Sequence, residues 1–399
     1  MKTKFEKVAA NENHPLWTNM ISRQENLEHT KNDLRTEFER DYTRVIFTTA
    51  YRRLKHKTQV FFLPKSDHIC TRIEHANYVE SISYTIAKAL GLNTNLTKAI
   101  STSHDIGHSP FGHAGEKILS KISEIDIGKS FWHEKNGLDI VDNLSLLENK
   151  LGMKNNLNLT YAVRDGIISH CGEVNENSLK PRNEFINLES EYTKPNQYAP
   201  YTWEACVVKI SDKISYILRD IEDAIFLGIL DNSLNELKEI LKYPKDAILN
   251  NTVIINKFIY DLCENSNPEN GLTFSKPTLD LLNNIKSFNY KNIYLSEKVL
   301  ASQAYFDLII NGIYNTLKPA YNGMETLYEL NKMVKLYGDL VLPFIDWITP
   351  YWNINNTPRE HRIIFDMNKK EDYCKAIIYY ISGMTDNYAI ESFNNIIRF

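Results

Sequence analysis

The sequence predicts an all-α fold with at most one small β element. Three observations carry that expectation. Apolar residues recur at spacings of three and four along most of the chain, glycines stand where helices should stop, and strand–turn–strand patterns are nearly absent. Val79, Ile82, Ile86 and Leu90 define one helical face, and Gly91 follows at the position of a helix-ending glycine. Thr94 is then the expected N-cap of a helix running toward Ser103. Residues 202–227 read as one long helix stopped by Gly228. Residues 296–316, 324–336, 370–381 and 385–397 also follow the helical period. Residues 58–63 and 185–188 are the short strand candidates. Residues 172–200, 264–277 and 349–359, rich in Asn, Glu or Pro, are expected loops.

Composition narrows the class. Of 399 residues, 43% are hydrophobic and 24% charged, which excludes a disordered chain, a collagen-like fibre and a disulfide scaffold. The formal net charge of −4 lacks the basic excess of a dedicated nucleic-acid binder. The start, MKTKFEKVAANENHPLW, has no apolar run after its lysines, and no stretch approaches membrane-spanning length. A cytoplasmic protein without a membrane partner is therefore expected. Cys70, Cys171, Cys206, Cys263 and Cys374 are odd in number, scattered and free of any CxxC pair, which predicts free thiols and argues against a zinc–thiolate site.

Histidine points to the chemistry. Six of eleven (His68, His75, His104, His108, His113, His133) fall within 66 residues, where even spacing would give about two. Imidazole and carboxylate together suit Zn, Fe, Mn and similar ions. The adjacent pair His104-Asp105 can reach one ion if the backbone turns sharply, and Gly107 is expected to permit that turn. Further on, Asp212, Tyr216, Asp220 and Asp223 lie at i, i+4, i+8 and i+11, on one helical stripe. Alone, that stripe reads as a solvated face with pairs such as Arg219–Asp223. Beside a histidine cluster it reads as a ligand-bearing face.

The motif set RTEFERDYTRVIFTTAYRRLKHKTQVF (35–61), TRIEH (71–75), HDIGHSPFGHAGE (104–116), WHE (132–134), SDKISYILRDIEDA (211–224) and YYISGMTDNYAI (379–390) resembles the HD-domain phosphohydrolases. More narrowly, it resembles the deoxyguanosine triphosphate triphosphohydrolase (dGTPase) family and is similar to animal dNTP triphosphohydrolases that pair a SAM domain with an HD domain. The resemblance implies an N-terminal segment (1–65) packed on an HD helical core (66–230), with a C-terminal helical lobe (231–399), as one continuous unit. It implies a divalent metal ion (Mn, Mg, Fe or Co) held by His75, His104, Asp105 and Asp212. His113 is the implied general acid/base with Glu116 as its orienter, and His133 and Glu134 match a second active-site pair. Arg72 is implied against the nucleotide, Lys213 on the phosphates, Tyr216 and Asp220 near the sugar, and Gln59 at the 3′-hydroxyl. His108 and His170 are expected in structural or supporting roles.

The implied reaction is attack of a metal-activated water on the α-phosphorus of a dNTP, giving deoxynucleoside and inorganic triphosphate. Ser109 departs from the proline of many dGTPases, and no motif residue reads the base. The rival expectations are another HD-type nucleotide phosphohydrolase, or a nucleotide-binding regulator without turnover. Family members commonly form homo-oligomers, often hexamers, and some respond to an allosteric nucleotide or to single-stranded DNA.

Overall fold

A computed structural model of the chain describes residues 4–25, 33–62, 66, 68–148, 152, 154–172, 177–242, 244, 249–354 and 363–397. The fold is all-α. Its helices among these residues begin with α1 (Trp17–Met20), α2 (Glu37–Ile46), α3 (Thr49–Arg53), α4 (Arg72–Leu90), α5 (Thr94–Ser103) and α6 (Gly112–Asp126). There follow α7 (His133–Asp139), α8 (Tyr161–Ser169), α9 (Trp203–Phe226), α10 (Leu234–Ile240) and α11 (Asn251–Asn265). The last are α12 (Lys276–Asn289), α13 (Glu297–Leu317), α14 (Thr326–Ile348), α15 (Lys370–Ser382) and α16 (Asp386–Ile397).

The one small sheet pairs β1 (Leu147–Glu148) with β2 (Lys154–Asn155), antiparallel. Neither expected strand forms among the described residues. Thr58 makes only an isolated bridge to Thr71, because the apolar run after it packs on helices: Phe62 meets Phe111 and Phe306 edge-on. Residue 63 lies outside the described residues, as do 173–176 and 355–359 of the expected loops. Residues 185–188 are likewise irregular, with Ile186 and Leu188 buried against helices.

Local signals set several helix ends. Glu74 Oε2 accepts from Thr71 N at 2.8 Å and opens α4, which closes on Gly91 at φ +82°. Thr202 Oγ1 accepts from Ala205 N at 3.1 Å and opens α9. At α5 the cap is Asn93, one residue before the expected Thr94. Its Oδ1 accepts from the amides of Asn95 and Leu96 at 3.0 and 3.2 Å, and Asn is the stronger capping residue. Helix α14 runs twelve residues past the expected Leu336, through a break at Tyr337 and past Pro343. Burial of Leu340, Val341, Phe344 and Ile348 outweighs the hydrogen bond that Pro343 forgoes.

Three apolar clusters surround the site. Ile82 and Ile86 of α4 pack with Ile210, Ile214 and Ile217 of α9 and with Phe258 and Ile285 beyond them. Val79, Ile100, Leu138, Ile167 and Val208 tie α4, α5, α7, α8 and α9 together. In the third, Phe111 joins Phe306, Phe344 and Ile377. No helix among the described residues is long and apolar enough to cross a membrane.

Candidate active site

The first turn of α4, the C-terminus of α5 and the middle of α9 converge. His75 Nε2 lies 2.8 Å from Asp212 Oδ1 and 4.0 Å from Asp105 Oδ2. His104 Nε2 lies 3.6 Å from Asp105 Oδ1 and 3.8 Å from Asp212 Oδ1. His104 Nδ1 is 2.6 Å from the Ser101 carbonyl. Only an N–H can make that contact, so the lone pair of the neutral ring sits on Nε2. That Nε2 is buried and has no hydrogen-bond partner. An orphaned imidazole nitrogen among carboxylates fits a divalent ion with mixed N/O ligands. His170, reached from the end of α8, joins the same space. Its ligand atom and those of His104 and Asp105 all lie within 4.8 Å of one another.

Charge is arranged around Asp105. Arg72, 1% exposed, places Nη1 2.9 Å from Asp105 Oδ2, and His108 Nδ1 lies 3.0 Å from Oδ1. Burial alone would raise this carboxyl, but His108, His104 and Arg72 together hold it well below the usual range. Burial, with Arg72 beside it, keeps His108 well below an ordinary histidine.

Residues 104–107 form the expected turn, but φ at Gly107 is not positive, so the turn itself does not demand glycine there. A Cβ there would stand 2.0 Å from the His133 carbonyl and 2.3 Å from Gly137 N. The residue is glycine because α7 presses on the His-Asp segment. That close approach carries His133 to the site.

Two consecutive left-handed residues, Phe111 (φ +61°) and Gly112 (φ +52°), turn the chain into α6. A side chain at Phe111 makes that conformation costly, and it is held by Asp386, whose Oδ1 accepts from Phe111 N at 2.9 Å. Asp386 Oδ2 accepts from Thr58 N and Oγ1 at 3.0 and 2.7 Å. Lys57 Nζ donates to the carbonyls of His108 and, at 2.8 Å, Ser382. Beyond Gly112, Glu116 serves two histidines. Its Oε2 is 3.1 Å from His113 Nδ1 and 3.0 Å from His133 Nδ1. Burial would raise Glu116, yet His133 and His113 draw it well below the carboxylate range. Burial opposes charge on His133, but Glu134 and Glu116 outweigh it and raise this ring well above its usual value.

A cavity of about 510 Å³ opens on this cluster. Asp105, His108, His113 and Asp212 line it, together with Gln59, Arg72, Lys213, Tyr216 and Asp220. Its far wall comes from the C-terminal half of the chain, with Lys286, Asn289, Tyr290, Tyr294 and Gln303. Tyr294 donates to Asp220 Oδ2 at 2.6 Å, and burial lifts Asp220 to about 7 against that bond.

A family model described as HD domain matches residues 72–217. The chain is 32% identical over 396 residues to a deoxyguanosinetriphosphate triphosphohydrolase-like protein of Rickettsia prowazekii (strain Madrid E), covering 91% of this chain and 92% of the relative. Proteins of the same description from Rickettsia typhi and Rickettsia rickettsii (strain Iowa) are 32% and 33% identical, again over 91% of this chain, covering 92% and 91% of the relatives. The chain belongs to the deoxyguanosinetriphosphate triphosphohydrolase-like family. It is a hydrolase of the HD phosphohydrolase type.

The site of this deoxyguanosinetriphosphate triphosphohydrolase-like chain gathers the expected ligands His75, His104, Asp105 and Asp212, and the cavity collects all five expected substrate residues. Two residues stand apart. Glu134 is buried behind His133, with Oε2 3.5 Å from Nδ1, and does not line the cavity. Asp223, last on the α9 stripe, accepts from Cys70 N at 3.0 Å and pairs with Arg219 at 3.5 Å, as a structural residue. The sequence placed His170 in a structural or supporting role and did not single out Cys171 or Lys209, all three of which line the cavity. The signal was available for His170, which follows α8 as His104 follows α5. Cysteine arithmetic pointed away from Cys171, whose Sγ nevertheless stands 3.1 Å from His133 Nε2.

Proposed function

We propose that the chain hydrolyses 2′-deoxynucleoside 5′-triphosphates to deoxynucleoside and inorganic triphosphate, with a divalent ion held by His75, His104, Asp105 and Asp212. The observation that carries this reading is that Asp105 and Asp212, with His75 and His104 packed against them, border one cavity with the basic and polar residues Arg72, Lys213, Gln59, Tyr216 and Asp220. An ion bound there supplies Lewis acidity and charge neutralisation at a phosphate.

The chain's own residues do the rest. Arg72 and Lys213 neutralise charge that shifts along a triphosphate during transfer. His113 lines the cavity and protonates the leaving 5′-oxygen, with Glu116 fixing its ring. His133 does not line the cavity. That favours His113 as the proton donor and leaves His133 to hold Glu116. Gln59 Oε1 is buried without a partner and borders the cavity, which suits it to accept from a sugar 3′-hydroxyl. Close packing of Tyr216 and Asp220 at the sugar rejects a ribose 2′-hydroxyl.

The test is to incubate the purified chain with Mn²⁺ or Mg²⁺ and each dNTP and NTP, and to resolve products by ion exchange. Deoxynucleoside with intact triphosphate, and ribonucleotides left alone, is expected. Release of dNMP and pyrophosphate, or equal use of GTP and dGTP, would refute the reading.

A further inference from the structure

Beside the four expected ligands lies another cluster, which includes none of them and meets theirs only through His170. Cys171 Sγ is 3.1 Å from His133 Nε2 and 3.4 Å from His170 Nε2, and the three ligand atoms all fall within 4.8 Å of one another. We propose that His133, His170 and Cys171 form a second metal site, selective for a soft or borderline cation such as Zn²⁺ over Mg²⁺.

Each donor is already aimed. His170 Nδ1 donates to the Ile167 carbonyl at 2.7 Å, which leaves the lone pair on Nε2, toward the sulfur. His133 Nδ1 is held by Glu116 at 3.0 Å, which turns Nε2 the same way. A partner on the far nitrogen is the usual support of a metal-binding histidine. The Cys171 backbone is pinned as well. Lys209 Nζ donates to the carbonyls of Cys171 and, at 3.2 Å, Ser169, and to Asn196 Oδ1 at 2.9 Å. Gly172 follows at φ +106°, where a Cβ would stand 2.2 Å from the Asn196 side chain, so the turn that presents Cys171 tolerates little substitution.

The donor set decides the kind of ion. One thiolate and two imidazoles match Zn²⁺, Cd²⁺ or Co²⁺ and are poor partners for Mg²⁺. Three protein ligands with a position left open is the pattern of a reactive zinc site rather than a closed structural one. His170 and Cys171 both line the cavity, so an ion held there would be reachable from it. Burial pushes the Cys171 thiol up to about 12, so the metal-free sulfur carries its proton. Binding displaces that proton and the one on His133 Nε2, both released to solvent. Cys70, Cys206, Cys263 and Cys374 belong to no comparable cluster among the described residues.

The full chain, stripped with a chelator, is titrated with Cd²⁺ while the sulfur-to-cadmium charge-transfer absorption is followed. The wild type should show a saturable band whose full amplitude corresponds to one sulfur-bound Cd²⁺ per chain. Cys171→Ser should lack the band while its far-ultraviolet circular dichroism stays native, and His170→Ala should weaken Cd²⁺ binding at this site by more than about 10–100-fold. Asp212→Asn and His75→Ala should keep the band, which separates this site from the one used in the proposed hydrolysis. An absent band in the wild type, an unchanged band in Cys171→Ser, or its loss in Asp212→Asn and His75→Ala would each overturn the proposal.

Discussion

His133 Nδ1 stands 3.0 Å from Glu116 Oε2, joining the start of α7 to the N-terminal half of α6. The same oxygen is 3.1 Å from His113 Nδ1. One carboxylate thus serves a buried ring and a ring whose side chain is 75% exposed. Glu116 drawn down and His133 drawn up describe a charged pair. That pair anchors the carboxylate, which in turn fixes the exposed ring at the cavity wall.

The roles of the two histidines separate kinetically. His113→Ala should retain metal and substrate binding and lose about 10²–10⁴-fold in kcat. A loss confined to KM would move His113 to a binding role and make His133 the candidate acid.

Removing a ligand should act earlier. His104→Ala or Asp105→Ala should abolish turnover and lower bound metal, measured by elemental analysis, while circular dichroism remains close to wild type. Full activity with normal metal content in either variant would contradict the ligand assignment.

Asp220 predicts a pH dependence of stability. Its folded-state value of about 7 lies above that of an unfolded carboxyl, so the folded chain keeps a proton that the unfolded chain releases. The contribution is fully present below about pH 4 and is lost as pH rises through about 7. Asp220→Asn removes this titration. The melting temperature of the wild type relative to the variant should therefore decline from about pH 5 to about pH 8. A difference that stays flat with pH would contradict the shift.

Asp386 offers a test of the turn before His113. Asp386→Ala strands the amides of Thr58 and Phe111, at about 1–3 kcal/mol for each buried donor left unpaired. Urea unfolding should show a loss of about 2–6 kcal/mol. Activity measured well below the unfolding midpoint should fall too, because Gln59 and His113 adjoin the two released segments. Wild-type stability in this variant would count against the clamp.

Much of the candidate metal site was legible because its residues obey short-range rules. His75 sits in the first turn of a capped helix, His104 and Asp105 stand at a helix end, and Asp212 lies on a helical stripe. What escaped depends on contacts between distant segments. Gly107 lies in a turn as its place after the His-Asp pair suggests, but only the approach of Gly137 explains why it is glycine. The continuous apolar run at Val60–Phe62 suits a buried strand but finds aromatic helix faces instead of a partner strand. Cys171 gains its meaning from His133, 38 residues away. The far cavity wall, with Asn289 and Tyr290, carries no motif at all, because its position follows from how α12 packs on α9.

The Asp386 clamp also orders events in time. Its bonds span 275 residues to Phe111 and 328 to Thr58, and the Lys57–Ser382 contact spans 325. During synthesis, the segments that carry His75, His104, Asp105 and Asp212 leave the ribosome long before residue 386. A nascent chain can therefore gather these four ligands while the left-handed turn ahead of His113 still lacks its anchor. The turn ahead of His113, the proposed proton donor, is thus anchored last, and a message truncated before codon 386 should yield a chain in which Phe111 and Thr58 lack their shared carboxylate.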